Sequence, residues 1–184
     1  NAAGAAATAY ARQLADVLIP GLAPRVSFDT VAADPNRISR FAGIYRDDRT
    51  HDVVDLFIDR GQLRIRGGAM LRALRDGDFL MGAAARVRIV TAADGTPTGA
   101  RIFAPDGDTL TWSYAAATRW QPAETQLAAF TGRWYQPEVD AAWTARVEKG
   151  ALVLEQRPGT RAALVPAYAD TFEAGAYGTI WFTR

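Results

Sequence analysis

The chain has no cysteine, which excludes disulfides and thiolate metal sites. It has one histidine, His51, so neither a two-histidine metal site nor a Ser–His pairing present in each of two domains can be built. Its serines are Ser27, Ser39 and Ser113; none begins a Ser-x-x-Lys, and there is no Gly-x-Ser-x-Gly elbow. Glycine forms no phosphate-cradling loop, since Gly67-Gly68 is an isolated pair. No apolar run approaches the roughly 20 residues that a membrane-spanning helix needs. Lys149 is the only lysine among 21 basic residues; with abundant alanine, this bias reflects a GC-rich genome rather than a function. These absences leave no cofactor to expect and no catalytic residue to name.

What remains is ordinary in bulk. The 184 residues are 49% apolar and 22% charged, with a net charge of +1, as in a globular protein with no general reason to bind nucleic acid. The opening Asn1-Ala2-Ala3-Gly4 has no basic n-region of a signal peptide, and a mature or excised fragment would look the same.

The informative feature is a stretch that occurs twice. Phe41-Ala42-Gly43-Ile44-Tyr45, followed by Gly61-Gln62-Leu63-Arg64-Ile65, returns as Phe130-Thr131-Gly132-Arg133-Trp134 and Gly150-Ala151-Leu152-Val153-Leu154. The positions differ by 89 throughout, as in 130 − 41 and 152 − 63. A later stretch matches at 93, as in 172 − 79 and 182 − 89, so four residues are inserted in the second copy. Such a period fixes the architecture before any local reading.

Along the chain, Tyr10, Leu14, Val17 and Leu18 fall on one face of a helix that Ile19-Pro20-Gly21 stops. Pro20 to Pro35 reads as an extended linker. From Ile38 the periodicity is that of strands. Val53 to Asp59 and Leu63 to Arg66 form a hairpin across Arg60-Gly61, and short strands follow at Met70–Leu74, Phe79–Met81, Arg86–Val90, Gly99–Phe103 and Thr109–Tyr114. Arg119 to Gln126 reads as a polar connection, and Leu127 opens the second copy. The pattern predicts a mainly β fold: tandem antiparallel up-and-down, lipocalin-like barrels or half-barrels after one N-terminal helix. The expected division is 1–35 for helix and linker, 36–122 for the first repeat and 123–184 for the second. The second copy has no counterpart of the Gly99–Tyr114 hairpin, so either the natural chain continues past Arg184 or strands from elsewhere complete the sheet; continuation is the expectation.

Three constellations could carry chemistry. His51 with Asp48 or Asp52 has the residue types of an acid–base or metal site; the plainer reading, and the expected one, is a solvated loop. Arg64, Arg66, Arg86 and Arg88 share one sheet face, as an anion-binding stripe or, as expected, the water-facing side partnered by Asp55 and Asp59. Tyr45, Trp112, Trp120, Trp134, Trp143 and Trp181 would line a ligand cavity or, as expected, pack the cores.

Phe-x-Gly-x-Tyr/Trp, with Gly-x-Leu-x-Leu/Ile following, resembles the lipocalin-like β-domains that follow the catalytic domain in bacterial serine hydrolases of the class C β-lactamase and penicillin-binding-protein group. The tandem arrangement is similar to that of the D-aminopeptidases of that group, and Leu164-Val165-Pro166 with Asp170-Thr171-Phe172 resembles their Leu-x-Pro and Asp-x-Phe elements. Asn1 and the segment Tyr10 to Leu18 look like the end of a transpeptidase-type domain. The resemblance implies a non-catalytic region that shapes active-site access or mediates interdomain and oligomer contacts. The group's catalytic Ser-x-x-Lys, Tyr-x-Asn and His-x-Gly would lie in a preceding domain, so no catalytic residue transfers to this chain. Tyr10, Leu14, Val17 and Leu18 would then face that upstream domain, in cis, and the bacterial periplasm or secretion would be the compartment. The alternative is an autonomous lipocalin-like binder of a small apolar ligand.

Overall fold

The structure, a computed structural model, describes residues 10, 11, 13–15, 17–19, 27–137 and 140–183. Eight antiparallel strands close into a barrel: β1 (Gly43–Asp47), β2 (Val53–Asp59), β3 (Gln62–Ile65), β4 (Met70–Ala73), β5 (Phe79–Met81), β6 (Ala85–Thr91), β7 (Pro97–Phe103) and β8 (Thr109–Ala116). Each strand pairs with the next, and β8 returns to β1 with Tyr45 opposite Tyr114. Six more form an open sheet in the order β14-β13-β12-β11-β10-β9: β9 (Gly132–Gln136), β10 (Ala141–Glu148), β11 (Ala151–Arg157), β12 (Thr160–Tyr168), β13 (Thr171–Glu173) and β14 (Thr179–Trp181). The fold is thus the expected one, a barrel followed by a curled half-barrel. The four-residue insertion lengthens the β11–β12 hairpin relative to β3–β4.

Two short helices correct the sequence reading. Pro35–Phe41 is helical (α1), where strand periodicity was expected from Ile38 and an extended linker up to Pro35. Asp34 caps it by accepting from the Asn36 N–H at 2.9 Å, and Pro35 occupies the first turn, where its lack of an N–H costs nothing. Glu124–Ala128 (α2) lies where a polar connection was expected, and the Gln126 side chain accepts from the Ala123 N–H at 2.8 Å. Both helices begin 89 positions apart (124 − 35), so the repeat extends upstream of its obvious landmarks. Ile38 and Leu127, also equivalent, are both buried and anchor each helix on its own core.

The repeated stretch now has a physical role. Phe41 and Phe130 are buried in their respective cores. In each copy the aromatic four residues later donates back to that phenylalanine's carbonyl: the Tyr45 hydroxyl at 2.9 Å and Trp134 Nε1 at 2.7 Å. The bond satisfies the polar tip of a large ring and the carbonyl at the helix end together.

The first core fills the barrel. Tyr45, Leu56, Leu63, Phe79, Val87, Ile102 and Trp112 meet along its interior, with Ile38 and Phe41 of α1 packed against them. Phe41 and Phe79 meet edge to face at 6.0 Å. The second core centres on Phe130, Phe172 and Phe182, whose rings lie 5.1 to 5.6 Å apart, with Trp120 and Trp134 against them. Trp120 belongs to the connection, which therefore enters the second core; its N–H donates to the Ala167 carbonyl at 2.9 Å.

Candidate functional site

The loop from β1 to β2 holds all three polar candidates, and its backbone is fixed by Asp47. One carboxylate oxygen accepts from the Arg49 and Thr50 N–H groups, both at 2.9 Å. Burial pushes the Asp47 carboxyl up, but those backbone donors outweigh it and hold the group below the ordinary carboxylate range. His51 sits in the left-handed region, φ +62°, with its N–H on the Asp47 carbonyl at 2.9 Å. This chemistry turns consecutive side chains in different directions, which spacing alone does not reveal.

The candidates do not converge. Asp48 points back to the barrel, accepting from Ser113 Oγ at 2.7 Å and Arg46 at 3.3 Å. Asp52 accepts from the Thr179 hydroxyl of β14 at 3.0 Å. The His51 ring stacks on Trp181 at 4.5 Å with planes 21° apart, and its carbonyl accepts from the Tyr168 hydroxyl at 3.1 Å. The expected solvated loop is therefore a joint that seats the second sheet on the barrel. Trp181, expected in a core, lies on the outer face at 44% exposure and supplies the other half of that stack.

A second set of contacts completes the joint. Asp55 on β2, buried, accepts from Arg66 at 2.7 Å and from Arg119 at 3.2 Å. Arg119, on the connection, also bonds Glu173 of β13. Burial works against the Arg119 charge, but Glu173 and then Asp55 more than compensate and raise its pKa further. One guanidinium fork thus ties the barrel, the connection and the second sheet together. Sequence reasoning passed over Arg119; the signal was its place in a connection beside an aromatic, Trp120.

The arginine stripe is ion-paired, with a correction. Arg64 meets Asp59 at 2.8 Å and Arg66 meets Asp55, as expected. Arg86 and Arg88 instead converge on Asp78, with Arg86 also on Asp76. Burial raises the Asp78 carboxyl, and the two arginines overcome it and hold the group low.

Among the described residues no group of three or more histidine, cysteine, aspartate or glutamate side chains could hold a metal ion, and no helix is long and apolar enough to cross a membrane. The surface of the described residues includes two depressions of note. One of about 310 Å³ lies beside α1, at Arg37 and Arg40; one of about 580 Å³ lies at the joint, at Arg119, Trp120 and Tyr168. The N-terminal candidates are helical and open to solvent: Tyr10, Leu14, Val17 and Leu18 are 68, 62, 81 and 72% exposed. No family model and no curated protein matches the chain.

Proposed function

We propose that the chain is a non-catalytic accessory region of a serine β-lactamase-like hydrolase or peptidase, presenting a rigid two-unit β scaffold beside a catalytic domain. The observation that carries this reading is that the chain's chemistry is spent internally. The barrel interior is occupied by Tyr45, Phe79, Trp112 and their aliphatic neighbours, and His51, Asp48 and Asp52 are each engaged with a different structural partner. The autonomous-binder reading needs an apolar cavity, and the filled barrel speaks against it. The exposed stripe at Tyr10, Leu14, Val17 and Leu18 supports a neighbour on the N-terminal side, since contiguous apolar surface of this kind marks an interaction site.

The test is to compare residues 1–184 with the same protein joined to the segment its gene encodes upstream. The expected result is a Ser-x-x-Lys domain upstream, with hydrolysis of a chromogenic β-lactam or D-alanyl anilide only in the joined protein. Hydrolysis by residues 1–184 alone, or an upstream segment lacking that motif, overturns the reading.

A further inference from the structure

The first repeat shows what covers the edges that the second leaves open. In the barrel, β7 and β8 stand between β6 and β1, with Val87 opposite Ile102 and Tyr45 opposite Tyr114. Tyr45 and Val87 are consequently fully buried. Their repeat equivalents, Trp134 on β9 and Ile180 on β14, are only partly buried at the margin of the second core. β9 and β14 are the terminal strands of their sheet.

A glycine marks the same difference. A Cβ on Gly43 would lie 2.8 Å from the Ala116 carbonyl oxygen and 2.8 Å from the Tyr114 ring, because β8 passes so close. Gly132, its equivalent, keeps a positive φ of +125° but has nothing within 4 Å of its Cβ position. The second repeat thus retains a close-approach residue on an edge that faces no strand among the described residues.

We propose that an antiparallel β-hairpin, carried by the same polypeptide after β14, seats between β14 and β9 and closes the second sheet into an eight-stranded barrel. Its first strand pairs with β14 and places an apolar residue opposite Ile180. Its second pairs with β9, places an aromatic opposite Trp134, and runs its backbone against Gly132. The first repeat makes the same hand-over from β6 to β7 through a short turn, with the Ala92 N–H on the Thr96 carbonyl at 2.8 Å. A strand joined by such a turn reaches the β14 edge at an effective concentration that a separate molecule does not match. A second copy would also have to bring its own barrel up to β14, whose outer face is already engaged by His51 and Asp52. This inference does not depend on the accessory reading.

The experiment compares residues 1–184 with the longer polypeptide that the gene encodes, by hydrogen exchange, light scattering and binding of an apolar dye. In residues 1–184 the expected result is a monomer that binds the dye and whose β9 and β14 amides exchange more than about tenfold faster than those of β1 and β6. In the longer polypeptide those amides slow by more than about tenfold and dye binding is lost. Gly132→Ala should then lower the thermal midpoint more in the longer polypeptide than in residues 1–184. Protected edges in a dimer of residues 1–184 would assign the edges to a second copy. Downstream residues that leave β9 and β14 unprotected, or a stop codon directly after Arg184, would also overturn the proposal.

Discussion

Alanine at Gly43 and at Gly132 makes the same chemical change at equivalent positions in different surroundings. Both residues have positive φ, +150° and +125°, a region that residues with a Cβ enter at a cost of about 1–3 kcal/mol. At Gly132 that is the whole cost, since nothing lies within 4 Å of the added carbon. At Gly43 the carbon meets the Ala116 carbonyl at 2.8 Å. A backbone atom in a paired strand cannot swing aside, so β1 and β8 must separate at the seam that closes the barrel. Overpacking of this kind adds about 1–3 kcal/mol. Gly43→Ala is therefore expected to destabilise its repeat by about 2–6 kcal/mol, and Gly132→Ala its own by about 1–3 kcal/mol. Two packed units need not unfold as one, so the assay is urea titration read by peptide-resolved hydrogen exchange, which follows each repeat separately. Equal losses at the two positions would refute the claim that the close approach of β8, rather than φ alone, explains Gly43.

Three other changes probe the cores and the joint. Tyr45→Phe leaves the Phe41 carbonyl without its donor and should cost about 1–2 kcal/mol at neutral pH. Burial first, then Tyr114, push the Tyr45 phenol well above its ordinary value; the folded state holds that proton, so the Tyr45 contribution to stability is constant below about pH 10 and falls above it, and this alkaline limb is lost in the variant. Asp78 is held low by Arg88 and Arg86 against burial, so its contribution is present above the ordinary carboxylate pKa and lost as pH falls through the lower folded value. Asp78→Asn should make the acid limb of a urea-midpoint profile shallower by up to about one proton. Arg119→Ala removes the fork between Asp55 and Glu173 and should raise protease cleavage in 117–123 severalfold without exposing either core. Arg119→Lys should restore this only in part, because an ammonium cannot reproduce the planar fork.

The fold was legible because its signals are local and repeated. Alternation in Leu63 to Arg66 and the Arg60-Gly61 turn are sufficient for a hairpin, and the second copy confirms the spacing of the first. The short helices were harder to see. In α1 the strand-like reading from Ile38 competed with Asp34-Pro35, a helix start, and the start signal prevailed because Ile38 and Phe41 must both face the barrel end. The joint was least legible. That His51 meets Trp181, 130 positions away (181 − 51), follows from how two units pack, and no local period records it. Arg86 and Arg88 illustrate the same limit at shorter range, since their shared partner Asp78 lies across the β5–β6 hairpin rather than on the strand that alternation suggested.

The conserved unit of the repeat is larger than its aromatic motif and has a mechanical reason. A barrel built from short strands leaves an apolar end that water would reach. Each copy covers it with a helix anchored by Ile38 or Leu127, then must turn sharply into a strand. Gly43 and Gly132 supply that turn, and the ring two residues on reaches back to hold the carbonyl of Phe41 or Phe130. Tyrosine and tryptophan can exchange here because both carry a donor at the far end of a flat apolar body; phenylalanine could fill the space but would bring no donor to the carbonyl. At this aromatic the two copies differ because β8 has no counterpart among the described residues. Tyr45 is sealed beneath Tyr114 at 5.2 Å, while Trp134 rests on Phe182 at 4.6 Å and remains partly open. Substituting the second copy's aromatic by tyrosine should thus preserve its helix plug, since the feature the two sites share is the bond to the carbonyl and not the depth of burial.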